Sequence, residues 1–405
     1  MPVLTRRSSL KCESITGGVI AAATAPAGGV AAAAAAPAVG VETCIRLKKD
    51  TRWVTSYVLV FNYSNDMLEH LSSVVQSDMY HMQYPGKGTT GTIYAHDANR
   101  SLVLLTQAWF IFGECAATWD IMMDYAAIHM PNLNDDRFAV ICDEDKGQSG
   151  SWAQFFPLVP IFACWFHLLH NTMTRQKVPK AHQHLLTMAM RQGTIAAVEK
   201  VLKVLREGDD DTEVSAATNR FLDLRTNKGL FPAYLEGRLH GKTSSNGVEA
   251  MGNVDAKTNI RKPKVYMQLL LTVGYWTKML AERKQVVAKY NDKAPPRVLT
   301  ATKTLAQTAR DRKNRKTTSL PSGMGRVTSH IHPGVQYIVD VPHKTCSCGK
   351  WQTDRFPCEH ALVIMDLHRM DVHDHLHASN TTARWKEQYA GVVIRPIATN
   401  GALAH

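Results

Sequence analysis

The sequence predicts a mixed α/β fold in which one larger α/β domain is interrupted by a helical insertion and followed by a small metal-binding ββα module. Three observations predict it. Between Ser73 and Phe112 short apolar runs are separated by turns, and strand-type and helix-type runs then alternate as far as Cys164. From His167 the chain becomes polar, with Leu and Val at helical spacing in Val198 to Leu205. Near the C-terminus, Cys346-Ser-Cys348 is followed by Cys358-Glu-His360, three thiols and one imidazole.

Taken in order, Ser73 to Gln76 is a brief β-type run ending at Asp78, and Gly86 to Gly88 is a turn. Thr90 to Ala95 and Leu102 to Phe112 complete an antiparallel three-stranded meander. Ala116 to His129 has helical apolar spacing and is stopped by Pro131. Arg137 to Cys142 is a short buried strand, Ser151 to Phe156 a short helix and Ile161 to Cys164 a further strand. Meander, helix, strand, helix, strand is the order of an RNase H-like α/β domain, here spanning residues 55–290 with the helical insertion at about 172–243. A long helix is expected from Asn246 through Gln285, interrupted at Pro263. Residues 291–325 are rich in Pro, Ser, Lys and Arg and are expected as a basic linker. Its run Arg310, Arg312, Lys313, Arg315 and Lys316 is either solvated or a strap for nucleic acid. Val327 to Val341 holds two strands leading into the metal module at 326–395.

The 405 residues suffice for two or three domains. A net charge of +12 points to a polyanionic partner such as DNA, although charge alone specifies no reaction. Eight cysteines in so long a chain do not make a disulfide scaffold, so a reducing compartment is expected. Residues 1–45 form a low-complexity, Ala-rich class broken by Gly and Pro and are expected to be disordered; Arg6 and Arg7 before it also allow a leader-peptide reading. No run is long and apolar enough to span a bilayer.

The C-terminal quartet is a complete tetrahedral Zn²⁺ shell of Cys346, Cys348, Cys358 and His360, with no position left for water, so the site is structural. Gly349 and Pro357 let the chain between the pairs fold back to one ion. The pattern resembles the SWIM-type zinc finger, together with Gly349, Lys350, Trp351, Gln352 and Pro357. The resemblance implies that Cys358 to Met365 opens as a short helix.

Three carboxylates fall where such an α/β domain would gather them: Asp78 at the first strand, Asp143 just past the fourth and Glu249 after the insertion. Hard oxygen ligands suit Mg²⁺ or Mn²⁺, which can activate an attacking oxygen and stabilise the leaving oxygen of a phosphodiester. The stretch from Asp78 through Gly88, Asp97-Ala98-Asn99, Glu114, Trp119 and Met122 resembles the start of a Mutator-like element transposase domain. Asp143 to Gly147, Pro157, Cys164-x-x-His167 and Asn171 resemble its middle, and Ser244 to Leu270 its end. That resemblance implies a DDE role for Asp78, Asp143 and Glu249, DNA as partner and a nuclear protein, with a homo-oligomer left open. It also implies active-site support from Cys164 and His167; with His170 these could otherwise form a second zinc site. The resemblance departs at Met79-Tyr80-His81, where the family has Gly and Thr, and at Gly252, where it has Asn. A domesticated, catalytically inactive DNA-binding or transcription-regulating descendant is the alternative, and a zinc-dependent protein-interaction module a second.

Overall fold

A computed structural model of the chain describes residues 13–15, 41–47, 54–61, 63–82, 88–144, 147–208, 213–245, 265–311, 316–329 and 334–392. Its organising element is an eight-stranded sheet. The strands are β1 (Glu13–Ile15), β2 (Val41–Leu47), β3 (Val54–Phe61), β4 (Val74–His81), β5 (Thr89–His96), β6 (Leu102–Phe110), β7 (Ala139–Cys142) and β8 (Ile161–Ala163). Their order across the sheet is β1-β2-β3-β6-β5-β4-β7-β8. The strands from β1 to β4 pair antiparallel with their sheet neighbours, whereas β4 with β7 and β7 with β8 are parallel. The expected meander is therefore present as β4, β5 and β6.

Helices cover both faces, which is why β5 is buried along its whole length and reads as a continuous run rather than an alternating one. The helices are α1 (Tyr63–Leu68), α2 (Ala116–His129), α3 (Gln148–Phe155), α4 (Trp165–His167), α5 (Met173–Arg175), α6 (Lys180–Met190), α7 (Ile195–Glu207), α8 (Ala216–Asp223) and α9 (Asn227–Leu230). After these come α10 (Val265–Lys289), α11 (Pro296–Asp311), α12 (Lys350–Asp354), α13 (Glu359–Leu367) and α14 (Thr382–Ala390). On one face Met122 of α2 lies over Gly91 of β5. On the other, Trp276 of α10 tilts against Tyr94 at 5.7 Å between ring centroids, and Gln268 Nε2 donates to Thr90 Oγ1 at 3.1 Å. The parity of β5 thus assigns odd residues to α2 and even residues to α10. Helices α6 to α9 form their own core around Leu186, Val198, Leu202 and Phe221, so the segment after His167 is helical as expected.

The metal module is a second, four-stranded antiparallel sheet of β9 (Thr317–Ser319), β10 (Met324–Thr328), β11 (Gln336–Asp340) and β12 (Thr345–Cys346) in the order β12-β11-β10-β9. Helix α13 covers it, with Ile364 and Met365 against Val327 and Val339, and α11 contributes Ala309.

Several expectations are corrected. Residues 1–45, expected as disordered, contribute β1 and the start of β2 to the sheet edge; the remainder of that stretch lies outside the described residues. Residues 291–325, expected as a linker, are largely the helix α11 and strand β9. Its first helical residue is Pro296, which suits a helix start because the missing N–H would have no intrahelical partner there. Asp78 stands within β4, which continues to His81, rather than at its end. Residues 246–264, the expected start of the long helix, lie outside the described residues, and α10 runs from Val265.

Candidate metal centre and acidic site

The zinc quartet is assembled from one strand end and one helix start. Strand β12 pairs with β11 in the register Val339 to Cys346, which places Cys346 at the end of a hairpin. Gln352 then holds Cys346 from both sides: its Oε1 accepts from Cys346 N at 3.2 Å and its Nε2 donates to Cys346 O at 3.1 Å. Gly349 N donates to the same carbonyl at 2.8 Å, and Gly349 takes φ of 75°, the left-handed region that favours glycine. Cys358 is the N-cap residue of α13, so Cys358 and His360 flank the first helical residue and face back toward the hairpin.

All four ligand atoms lie within 4.8 Å of one another. Cys348 Sγ to Cys358 Sγ is 3.6 Å, and His360 Nδ1 lies 3.9 Å from Cys346 Sγ and 4.0 Å from Cys358 Sγ. Sulfurs bound to zinc at about 2.3 Å in a tetrahedron would be about 3.8 Å apart, so the spacing fits the ion. Three crowded thiols also compete for protons. Hydrogen bonds from Cys346 and then Cys358 hold the Cys348 thiol far below its usual value, while the bond to Cys348 pushes Cys346 up to about 12. Cys358 is likewise raised, first by Cys346. A divalent cation would resolve that competition by binding all three as thiolates. Tyr337 covers the imidazole, its ring 4.2 Å from that of His360 and inclined by 32°.

The zinc loop is braced from outside. Gly349 meets Gly193, in the loop before α7, so closely that a Cβ on Gly349 would stand 2.0 Å from Gly193 O, and one on Gly193 would stand 2.4 Å from Gly349 C. Thr353 Oγ1 donates to Gly193 O at 3.1 Å.

The acids stand elsewhere, on the sheet. Residues Val74, Val75 and Gln76 of β4 pair in parallel with Ala139, Val140 and Ile141 of β7. Continued two residues further, past the end of β7, the same register would bring Asp78 abreast of Asp143. Asp78 Oδ1 accepts from Met79 N at 2.8 Å, and both acids are half-buried. Gln148 ties the strands together, accepting from Asp143 N at 3.1 Å and donating to Ser77 Oγ at 2.7 Å. Next to Asp143, Glu144 takes a multiple hydrogen bond from Arg225, as short as 2.6 Å, which anchors the helical insertion to this loop. Glu249 lies outside the described residues.

Of Cys164 and His167, the histidine approaches Asp143 and the thiol bonds the histidine. His167 Nδ1 is 3.9 Å from Asp143 Oδ2. Its hydrogen bond to Cys164, working against burial and helped by Asp143 and Asp78, pushes its pKa up to about 9. Burial opposes a Cys164 thiolate, but hydrogen bonds from His167 and Ser245 outweigh it and lower that pKa. Ser245 N and Oγ both donate to Cys164 Sγ at 3.3 Å. His170 is exposed and packs against Phe166 at 4.5 Å between ring centroids, inclined by 46°. Among the described residues, the finger quartet alone gathers three or more such ligands. Of the basic run, Arg310 pairs with Asp366 at 2.9 Å and Lys316 is exposed, while Arg312, Lys313 and Arg315 lie outside the described residues. Sequence reasoning missed Gly193 and Arg225, which carry no local motif; Tyr337 was within an expected strand but had no signal for its place on His360.

These features define a structural zinc module joined to a mixed α/β domain. Residues 337–366 match the SWIM zinc finger family, a match that takes in all four zinc ligands. No curated protein matches the chain. Among the described residues no helix is long and apolar enough to cross a membrane.

Proposed function

We propose that the chain is a transposase-like DNA-binding protein in which an RNase H-like domain of the Mutator-like kind cleaves and joins phosphodiesters, with the SWIM finger as its structural brace. The observation that carries this reading is the parallel pairing of β4 with β7, whose register, continued two residues past Gln76 and Ile141, would bring Asp78 abreast of Asp143. The order β6-β5-β4-β7-β8, three antiparallel strands followed by two parallel ones, supports the RNase H-like assignment. Support for Glu249 comes from the chain just before it: Gln76 Nε2 donates to Ser244 O at 2.6 Å and Ser245 is held at Cys164, four residues ahead in sequence. Glu249 itself lies outside the described residues, and its role as the third carboxylate is part of this proposal. Mg²⁺ or Mn²⁺ held there would supply an activated attacking oxygen and charge stabilisation at the leaving oxygen. The chain's own part is to hold the aspartates in register through Gln148 and to anchor the loop through Glu144 and Arg225. DNA as partner, a nuclear location and assembly as a homo-oligomer belong to this proposal, and the charge of +12 supports the first.

The test is cleavage of a labelled duplex by the zinc-loaded full chain with Mn²⁺ or Mg²⁺. Cleavage that Asp143→Asn abolishes, with zinc content and circular dichroism unchanged, is expected; activity that survives the substitution would end the DDE reading.

One observation favours the domesticated, non-cleaving alternative. His167 Nδ1 stands 3.9 Å from Asp143 Oδ2, and its hydrogen bond to Cys164 raises its pKa, so the imidazole competes with a metal ion for that carboxylate. Salt-dependent duplex binding without cleavage is the outcome that selects it. Zinc binding with no DNA affinity would select the protein-interaction module.

A further inference from the structure

At the opposite end of β4 and β7 from the two aspartates, the surface opens into a cleft of about 750 Å³. Its floor is built from three distant parts of the chain: Ser73 just before β4, Arg238 and His240 from the return of the helical insertion, and Arg355, His377 and Ser379 from the finger and the segment after it. The neutral groups are already satisfied among themselves. His240 bonds Ser73 Oγ at 2.9 Å and Ser379 Oγ at 3.4 Å, and His377 Nδ1 bonds Ser379 Oγ at 2.8 Å. Burial, followed by nearby positive charge, holds His240 well below its usual pKa and His377 down at about 4, so both stay uncharged.

The two guanidiniums are the exception. Arg355 contacts His377 Nε2 at 3.5 Å, and neither Arg238 nor Arg355 has a carboxylate partner among the described residues. Their like charges act on each other, and burial first and Arg238 second lower the Arg355 pKa. The other cations of the cleft are engaged: Arg384 with Glu387 at 2.9 Å and Arg137 with Asp135 at 3.5 Å. The remaining acids of the lining, Glu69, Asp136 and Glu236, are exposed, and among the described residues none of them pairs with Arg238 or Arg355. Half-buried cations without a counter-charge are unfavourable until an anion joins them.

We propose that this cleft binds a phosphate group between Arg238 and Arg355. Two planar donor forks match a tetrahedral oxyanion with several acceptor oxygens better than a single carboxylate. The volume exceeds what a phosphate alone occupies and accommodates the nucleoside or chain to which it is attached. The site does not depend on chemistry at Asp78 and Asp143, so it stands whether or not the chain cleaves DNA.

Calorimetric titration of the zinc-loaded full chain with pyrophosphate and with AMP tests it, followed by competition with a short DNA duplex. Saturable binding is expected, weakened about tenfold or more by Arg238→Gln or Arg355→Gln, which remove charged hydrogen bonds. Arg238→Lys and Arg355→Lys should keep part of the affinity, and Arg206→Gln, a surface residue paired with Asp223, should keep all of it. Displacement of AMP by duplex identifies the phosphate as DNA backbone, and AMP binding indifferent to duplex identifies a free nucleotide. The proposal is overturned if wild-type protein shows no saturable binding of pyrophosphate, AMP or duplex, or if a folded, zinc-containing Arg238→Gln/Arg355→Gln double variant binds as wild type does.

Discussion

Replacing Gly349 with Ala probes how firmly the zinc loop is held against the helical insertion. Two effects add. At φ of 75° a side chain is disfavoured by about 1 kcal/mol relative to glycine. The new Cβ would also stand 2.0 Å from Gly193 O and 2.7 Å from Thr194 Cγ2, well inside van der Waals contact, and the nearest obstacle is backbone that cannot rotate away. Relief requires the two loops to separate, losing the Thr353 to Gly193 hydrogen bond and the packing around it. With overpacking worth roughly 1–3 kcal/mol, the total is about 2–4 kcal/mol, or roughly a 30- to 700-fold shift toward the open contact. Gly193→Ala creates the same collision without the backbone term and should cost about 1 kcal/mol less. Hydrogen exchange over residues 190–196 and 346–353 in the zinc-loaded protein reads both variants. If Gly193→Ala exchanges as wild type does, the loops are not in contact and the reasoning fails; if the two variants are equal, the left-handed glycine is not a constraint.

Three further outcomes are expected. Metal analysis should find one zinc per chain, lost in Cys358→Ala, and a strong chelator should unfold the finger core around Trp351 and Ile364; full retention of that core in chelator would contradict a structural site. The histidines should titrate in opposite senses by NMR. His167, raised to about 9, contributes stability that is complete below pH 6.5 and fades as pH rises through 9, whereas His377, depressed to about 4, withdraws stability as pH falls from 6.5 toward 4; a common value near 6.5 would refute both environments. Asp97→Asn should destabilise the chain by about 1.5–3 kcal/mol in denaturant, because the buried carboxylate accepts from Tyr389 OH at 2.9 Å and Trp385 Nε1 at 3.3 Å and faces Arg283 at 3.9 Å; an unchanged midpoint would show that α14 does not depend on it.

What could be read from the sequence was local. The zinc quartet lies within fifteen residues, and its ligand types and turn residues specify the site before any fold is known. Strands β4 to β8 and helix α2 announced themselves through dense apolar runs. Helix α11 did not, since it buries little beyond Val298, Thr302 and Ala309, and its polar face reads as linker. Strands β1 and β2 were hidden because low-complexity composition surrounds them. Contacts between loops far apart in sequence, such as Gly193 with Gly349 or Arg225 with Glu144, carry no period or motif. The Arg238–Arg355 cleft belongs to the same class, created only when the insertion and the finger meet.

The Asp97 network also sets a schedule for synthesis. The turn between β5 and β6 is made early, but the phenol that bonds its carboxylate arrives 292 residues later. At roughly 5–20 residues per second that is an interval of about 15–60 s. Arg283 is made part-way through it and α14 only at its end, so until then the Asp97 carboxylate keeps water in place of Trp385 and Tyr389 and this corner of the sheet cannot close. A nascent chain stalled before Trp385 should therefore present an open, protease-sensitive β5–β6 turn, and completion of the last helix would act as the latch that ends the exposure.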